Sequence, residues 1–338
     1  MKKILGLISL VILSLSCSSS DDNQNNINST DYSDSILITN EGNFMSANAS
    51  ISAINPDLTA IDNSIYKKAN NSSVGDVVQS ITFHNDLAFV VVNNSNTIEV
   101  VSNKDFKKVS TISENLAAPR YAVVLNNLLY VTNANNNTVT VYNALNFEYV
   151  KTISLSFMPE YIVATNGYVY VSSNFYDSKT VVGIINILTN TVDVELDLDL
   201  SINGLTTANN NVYILATNSY KTALYEISNK AITHVAYYDI ADSRYLTFDN
   251  ANLFFTANLA IFKLNPSVLN TNTMPTEIFK VADNSWSSLY GFEVINGFIF
   301  TSDAKAFTED SEITIYSSVG TKVKTFKAGI GSNGFYKN

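Results

Sequence analysis

The chain of 338 residues has one cysteine, two histidines and five prolines, and only 15% of its residues are charged. A lone cysteine excludes a disulfide framework, and with two histidines it leaves too few ligands for the His-rich or Cys-rich zinc sites of hydrolytic enzymes. Basic residues number 20 against 30 acidic ones, a net charge of −10, and they nowhere cluster. Nucleic acid is therefore excluded as a partner, because phosphate binding needs grouped Lys and Arg to release counterions. The chain is 46% hydrophobic, which excludes wholesale disorder. What it has in excess is asparagine, 45 residues, giving a surface that is polar but neutral.

Lys2 and Lys3, an apolar run over residues 4–15 and Ser16 before Cys17 predict a signal peptide over residues 1–16. The run is shorter than the roughly 20 residues that span a bilayer. The sequence Leu13-Ser14-Leu15-Ser16-Cys17 resembles a bacterial lipobox with Cys17 as the lipidated residue, although Ser14 stands where Leu is usual. Residues 17–34 are polar and aperiodic, which predicts a disordered tether. Its acidic start, with Asp21 and Asp22, resembles the surface-export signals of Bacteroidetes lipoproteins, the plainer reading being a solvated linker. Loss of Lys2 and Lys3 leaves 18 basic and 30 acidic residues, a net −12, so anionic lipid gains no hold by charge. The expected location is the outer membrane, lipid-anchored and exposed at the cell surface.

The remainder repeats one unit. Residues 87–101 and 128–142 align as two strand-like runs around an Asn/Ser turn in the same register, each followed by a third apolar alternation. The core position of the second strand recurs at Leu37, Phe89, Tyr130, Tyr170, Tyr213, Phe254 and Phe300, at spacings of 52, 41, 40, 43, 41 and 46 residues. Units of about 40 to 45 residues with four strands are the signature of a propeller. The fold class expected is all-β: a seven-bladed β-propeller of four-stranded blades over residues 35–338. Residues 331–335 read as an innermost strand without a unit of its own and residues 36–39 as a unit lacking one, so the C-terminal strand is expected to close the ring.

Tyr130-Val131-Thr132-Asn133 is the tetrad of YVTN (YncE-like) surface-layer-like propellers, and residues 137–142 continue their hairpin. The resemblance covers nearly the whole chain after the tether and implies fold rather than function. Ile38-Thr39-Asn40-Glu41-Gly42-Asn43-Phe44 resembles the opening of Bacteroidetes surface lipoproteins of the same class, some of them similar to the BtuG-type cobalamin-binding lipoproteins that cap a TonB-dependent outer-membrane receptor. That resemblance implies a corrinoid as ligand, not cofactor, and such a receptor as partner.

In a propeller the starts of the inner strands and the turns between second and third strands share one face. The starts are expected at Gln79, Arg120-Tyr121, Glu160-Tyr161, Asn203-Gly204, Arg244-Tyr245, Tyr290-Gly291 and Asn333-Gly334. The turns bring Asn43, Phe44, Phe175, Tyr176 and Tyr220. Variation in a repeating scaffold suits an asymmetric ligand and equally an unused surface. Phe175, Tyr176, Tyr220, Trp286 and Tyr290 offer flat contacts to a macrocycle, with Asn amides for its carboxamides. The blander readings are that Trp286 wedges between blades, that Arg120 and Arg244 pair with Glu160 or other acids, and that the Asn runs serve hairpins. His84 and His234 fall on different parts of the unit, and Glu195, Asp197 and Asp199 alternate with Leu on a solvent face. No metal site, no catalytic set and no enzyme are expected. Two readings remain: a lipoprotein that captures a corrinoid (vitamin B12) and delivers it to a TonB-dependent receptor, or a non-enzymatic module binding protein or glycan at the surface. A propeller hydrolase or quinoprotein is disfavoured, because no nucleophile, His and acid converge.

Overall fold

The computed structural model describes residues 31–271, 273–282 and 285–338. Signal peptide, lipidation at Cys17 and most of the tether lie outside the described residues. Seven sheets of four antiparallel strands follow one another round a ring. In blades 2 to 7 the strands run from innermost to outermost in chain order, starting at Val78–His84, Pro119–Leu125, Pro159–Thr165, Ser201–Ala208, Ser243–Asp249 and Gly291–Ile295. Blade 1 takes its innermost strand, Ser332–Lys337, from the C-terminus, followed by Ile36–Asn40, Ser50–Ile54 and Ile61–Asp62. The expected closure is what the sheet order gives.

The second and third strands of the blades are apolar on both faces because each blade is packed between two others. In Leu87–Val92, Phe89 and Val91 join Leu129 and Val131 of blade 3, whereas Ala88, Val90 and Val92 join Leu37 and Ile51 of blade 1. The same division gives seven buried clusters, one at each blade interface, including the 7–1 interface of Ile38, Phe300, Ile313 and Phe335. All seven marker residues, from Leu37 to Phe300, are at most 3% exposed.

The spacing of 52 after Leu37 has a cause. A helix, Ile65–Asn70, stands between blades 1 and 2 and buries Ile65 and Tyr66, whose hydroxyl donates to Glu99 at 3.0 Å. The packed body also begins earlier than the tether boundary at residue 34. Tyr32 is 5% exposed, edge-on to Phe106 at 5.8 Å, and donates to Asp62 at 2.8 Å.

Much of the asparagine excess is turn chemistry. Five of the two-residue turns between first and second strands, Asn126-Asn127, Asn166-Gly167, Asn209-Asn210, Asn250-Ala251 and Asn296-Gly297, have both residues at positive φ. Asn tolerates that region better than other side chains, and paired positive φ matches the twist of a hairpin.

Candidate functional site

The inner strands of blades 1 to 6 start with an irregularity that turns one side chain into the mouth of the central channel, whereas that of blade 7 pairs in continuous register. The register skips a residue at Gln79, at Arg120-Tyr121, at Glu160-Tyr161, at Asn203 and at Tyr245, which marks a β-bulge in blades 2 to 6. The YVTN tetrad serves this geometry. The Thr132 hydroxyl accepts from the Tyr121 amide at 3.0 Å and donates to the Glu160 carbonyl of the next blade at 2.9 Å, and Asn133 accepts from the Ala117 amide at 3.0 Å.

In blade order 1 to 7 the rim position holds Asn333, Gln79, Arg120, Glu160, Asn203, Arg244 and Tyr290. Five of these are knitted together. Arg120 donates from Nε and Nη2 to Glu160, at 2.6 Å for the shortest contact, and from Nη1 to Gln79. Tyr290 and Asn333 donate to the two oxygens of Glu41 at 3.0 and 2.9 Å. Burial pushes the Glu41 carboxyl up, against the hydrogen bonds and the charge of Arg120 that pull it down. Asn203 donates to the Ser243 carbonyl at 2.8 Å. Arg244 is exposed and, among the described residues, has no side-chain partner. A cavity of about 220 Å³ opens beside it, walled by Arg120, Glu160, Phe175, Tyr176, Asn203 and Tyr245 among others.

The expected aromatic contacts divide into two groups. Phe175, Tyr176 and Tyr220 stand on blades 4 and 5, 37%, 87% and 80% exposed. Across the ring, Trp286 is 67% and Phe44 64% exposed on blades 7 and 1. Trp286 does not wedge between blades: its ring lies near-parallel to Phe307 at 6.3 Å and edge-on to Tyr290 at 6.4 Å. These groups form two aromatic jaws on opposite sides of one mouth.

Some expected contact residues are occupied by the scaffold. Gln79 and Glu160 are buried in the Arg120 network. Asn43 holds the Phe307 carbonyl at 2.9 Å, and the Tyr245 hydroxyl is given to the Tyr290 carbonyl. Tyr121 and Tyr161 lie deeper, in the channel, with ring centroids 5.0 Å apart. The opening motif is largely architectural too: Asn40 binds Ser50 and Ser52, and Gly42 has φ 74° with Asn48 packed where a Cβ would stand. His84 lies at the far end, 2.8 Å from Asn127, and His234 pairs with Glu226 at 2.9 Å.

Sequence reasoning missed Glu41, Phe307 and Glu293. Glu41 was visible as the one acid in its motif. Glu293 was visible as an acid in the otherwise apolar strand Gly291–Ile295, where the repeat elsewhere has Thr, Val or Tyr.

No protein-family model and no curated protein sequence matches the chain. Solved structures do. A quinoprotein alcohol dehydrogenase-like protein from Bacteroides thetaiotaomicron aligns with TM-score 0.72 at 13% identity, over 91% of this chain and 79% of that one. BamB from Moraxella catarrhalis aligns with TM-score 0.56 at 12% identity, over 88% and 84%. Kuenenia stuttgartiensis hydrazine synthase gives 0.62 at 11%, over 74% and 85%. Such similarity carries the β-propeller fold, and the names range over too many chemistries for the fold to choose one.

Proposed function

We propose that this propeller is a non-enzymatic capture protein whose mouth takes a broad, flat, largely neutral ligand of the corrinoid class. The observation that carries the reading is the pair of aromatic jaws, Trp286 with Phe44 on one side and Phe175, Tyr176 and Tyr220 on the other. Exposed aromatics are costly to leave in water, and opposed across a funnel they suit a rigid ring lying over the mouth. Asn203 and Asn174 wall the cavity there, and the second amide hydrogen of each, the first being given to the Ser243 carbonyl and to Glu160, adds a donor for a carboxamide rim. With Cys17 as lipid anchor, the protein would stand at the outer membrane and hand its ligand to a TonB-dependent receptor, as the resemblance at residues 38–44 implies.

Calorimetry with cyanocobalamin on the purified chain lacking residues 1–17 is the test. Saturable binding at micromolar concentration or tighter is expected. Absence of binding would overturn the corrinoid and leave the jaws to the second reading, a protein or glycan partner. What favours that reading is Arg244, an unpaired cation that a neutral ring does not need.

A further inference from the structure

Among the described residues, one carboxylate lines the channel below the rim. Glu293 faces Phe300 in its blade, and the equivalent positions of blades 1 to 6 hold Tyr336, Thr82, Val123, Val163, Thr206 and Thr247. Its Oε1 accepts from the Thr247 hydroxyl and from the Val294 amide at 3.0 Å. No donor among the described residues reaches Oε2. A cavity of about 170 Å³ adjoins it, walled by Tyr121, Tyr161, Tyr245 and Tyr336 among others. Burial raises all four phenols, so they present neutral hydroxyls.

We propose that this chamber binds a small organic cation, an alkylammonium or quaternary ammonium group, with Glu293 as its counter-ion and the tyrosine rings as its walls. A carboxylate partly withdrawn from water with one oxygen lacking a donor is unfavourable, and a cation inside the chamber reduces that penalty. Aromatic faces attract cations through their quadrupole, which favours an ammonium over a neutral group of equal shape. The volume limits the guest to a few heavy atoms. Tyr161 and Tyr245 also wall the cavity beside Arg244, so entry is from the mouth.

The surrounding charges are committed elsewhere. Asp249, on the neighbouring inner strand, accepts from the amides of Asn296 and Gly297 at 3.0 and 2.9 Å. Lys337, on the other neighbour, is held by Asp34. At the rim Arg120 is paired with Glu160, Glu41 is held by Tyr290 and Asn333, and Arg244 is exposed. None of them neutralises Glu293. Burial pushes its carboxyl up to about 7, with Asp249 adding to the rise, so a bound cation displaces a proton to solvent. This site does not depend on what the jaws hold.

Calorimetry of tetramethylammonium chloride into the folded chain, at constant ionic strength, tests it without any corrinoid. Saturable binding is expected at pH 8 and about tenfold weaker binding at pH 6, following the ionised fraction of Glu293. Glu293→Gln, folded by circular dichroism, should lose the saturable binding, and the neutral isostere tert-butanol should not compete. Absence of binding at pH 8, pH-independent affinity in the wild type, or unchanged affinity in Glu293→Gln would each overturn the proposal. The wild-type pH dependence decides the matter even where the variant fails to fold.

Discussion

Arg120 of blade 3 and Glu160 of blade 4 are joined by a forked pair, Nη2 at 2.6 Å from Oε1 and Nε at 3.0 and 3.1 Å from the two oxygens. The Glu160 side chain is 7% exposed and that of Arg120 27%. Removing one member of a buried pair costs about 3–5 kcal/mol, and the partial exposure of Arg120 lets water replace Glu160, so the low end is expected. Urea unfolding of Glu160→Gln should show a loss of about 3 kcal/mol, and the double variant Arg120→Met with Glu160→Leu should recover most of it. A loss below about 1 kcal/mol would make the latch equivalent to an ordinary surface pair.

The ring closes on Asn40. Its amide donates to Ser50 at 3.1 Å and Ser52 at 3.0 Å, and its oxygen accepts from Ser332 at 2.6 Å in the C-terminal strand. Asn40→Ala should cost about 2–4 kcal/mol, because three hydrogen bonds go and buried hydroxyls lose partners. Truncation after Ile330 removes Phe335 from the 7–1 interface and should lower the thermal midpoint of the whole domain in one transition. An unchanged midpoint would show that the closing strand contributes nothing to stability.

Glu293 makes stability depend on pH in a definite direction. Its carboxyl is raised from 4.5 to about 7 on folding, so between these values the native state binds more protons than the unfolded state. The contribution is full below about pH 4.5 and is lost as pH rises through 7, at most about 3 kcal/mol at 1.36 kcal/mol per pH unit. Glu41 is raised as well and acts in the same direction, so the comparison must be with Glu293→Gln rather than with a flat baseline. Denaturant melts at pH 5 and pH 8 should show a steeper fall for the wild type than for that variant; equal slopes would mean that Glu293 is solvated.

The repeat was legible because it is a packing necessity. A blade between two neighbours needs apolar residues on both faces, and marker residues such as Phe89 and Tyr170 must recur wherever a second strand crosses that core. The rim positions follow from the same register, which is why Arg120, Glu160 and Arg244 are legible in the sequence as starts of inner strands. What the register could not tell is which rim side chains pair. Arg120 finds Glu160 because both sit at bulges of adjacent blades, whereas the equivalent neighbour of Arg244, on blade 7, is Tyr290, whose hydroxyl is given to Glu41. Glu293 stayed hidden because a single acid in an apolar strand reads as an outward-facing residue until the ring shows that inner strands face a channel.

The two jaws predict where binding energy concentrates. Trp286 and Tyr220 are 67% and 80% exposed, so replacing either by Ala disturbs no core and should change stability by less than about 0.5 kcal/mol. Each should cost about 1–3 kcal/mol in cyanocobalamin affinity if the ring lies between the jaws, as aromatic residues at the centre of a contact do. Tyr290→Ala is a poorer probe, because its hydroxyl holds Glu41 and its loss mixes stability with binding. His84→Ala, at the far end of the channel, should leave affinity unchanged. Little net charge is neutralised by such a ligand, so raising salt from 0.05 to 0.5 M should alter affinity only weakly at about a Debye length and below. Loss of affinity in Trp286→Ala with none in Tyr220→Ala would place the ligand on one jaw alone and remove the reason for assigning it a broad ring. A steep salt dependence would instead point to Arg244 and an anionic ligand.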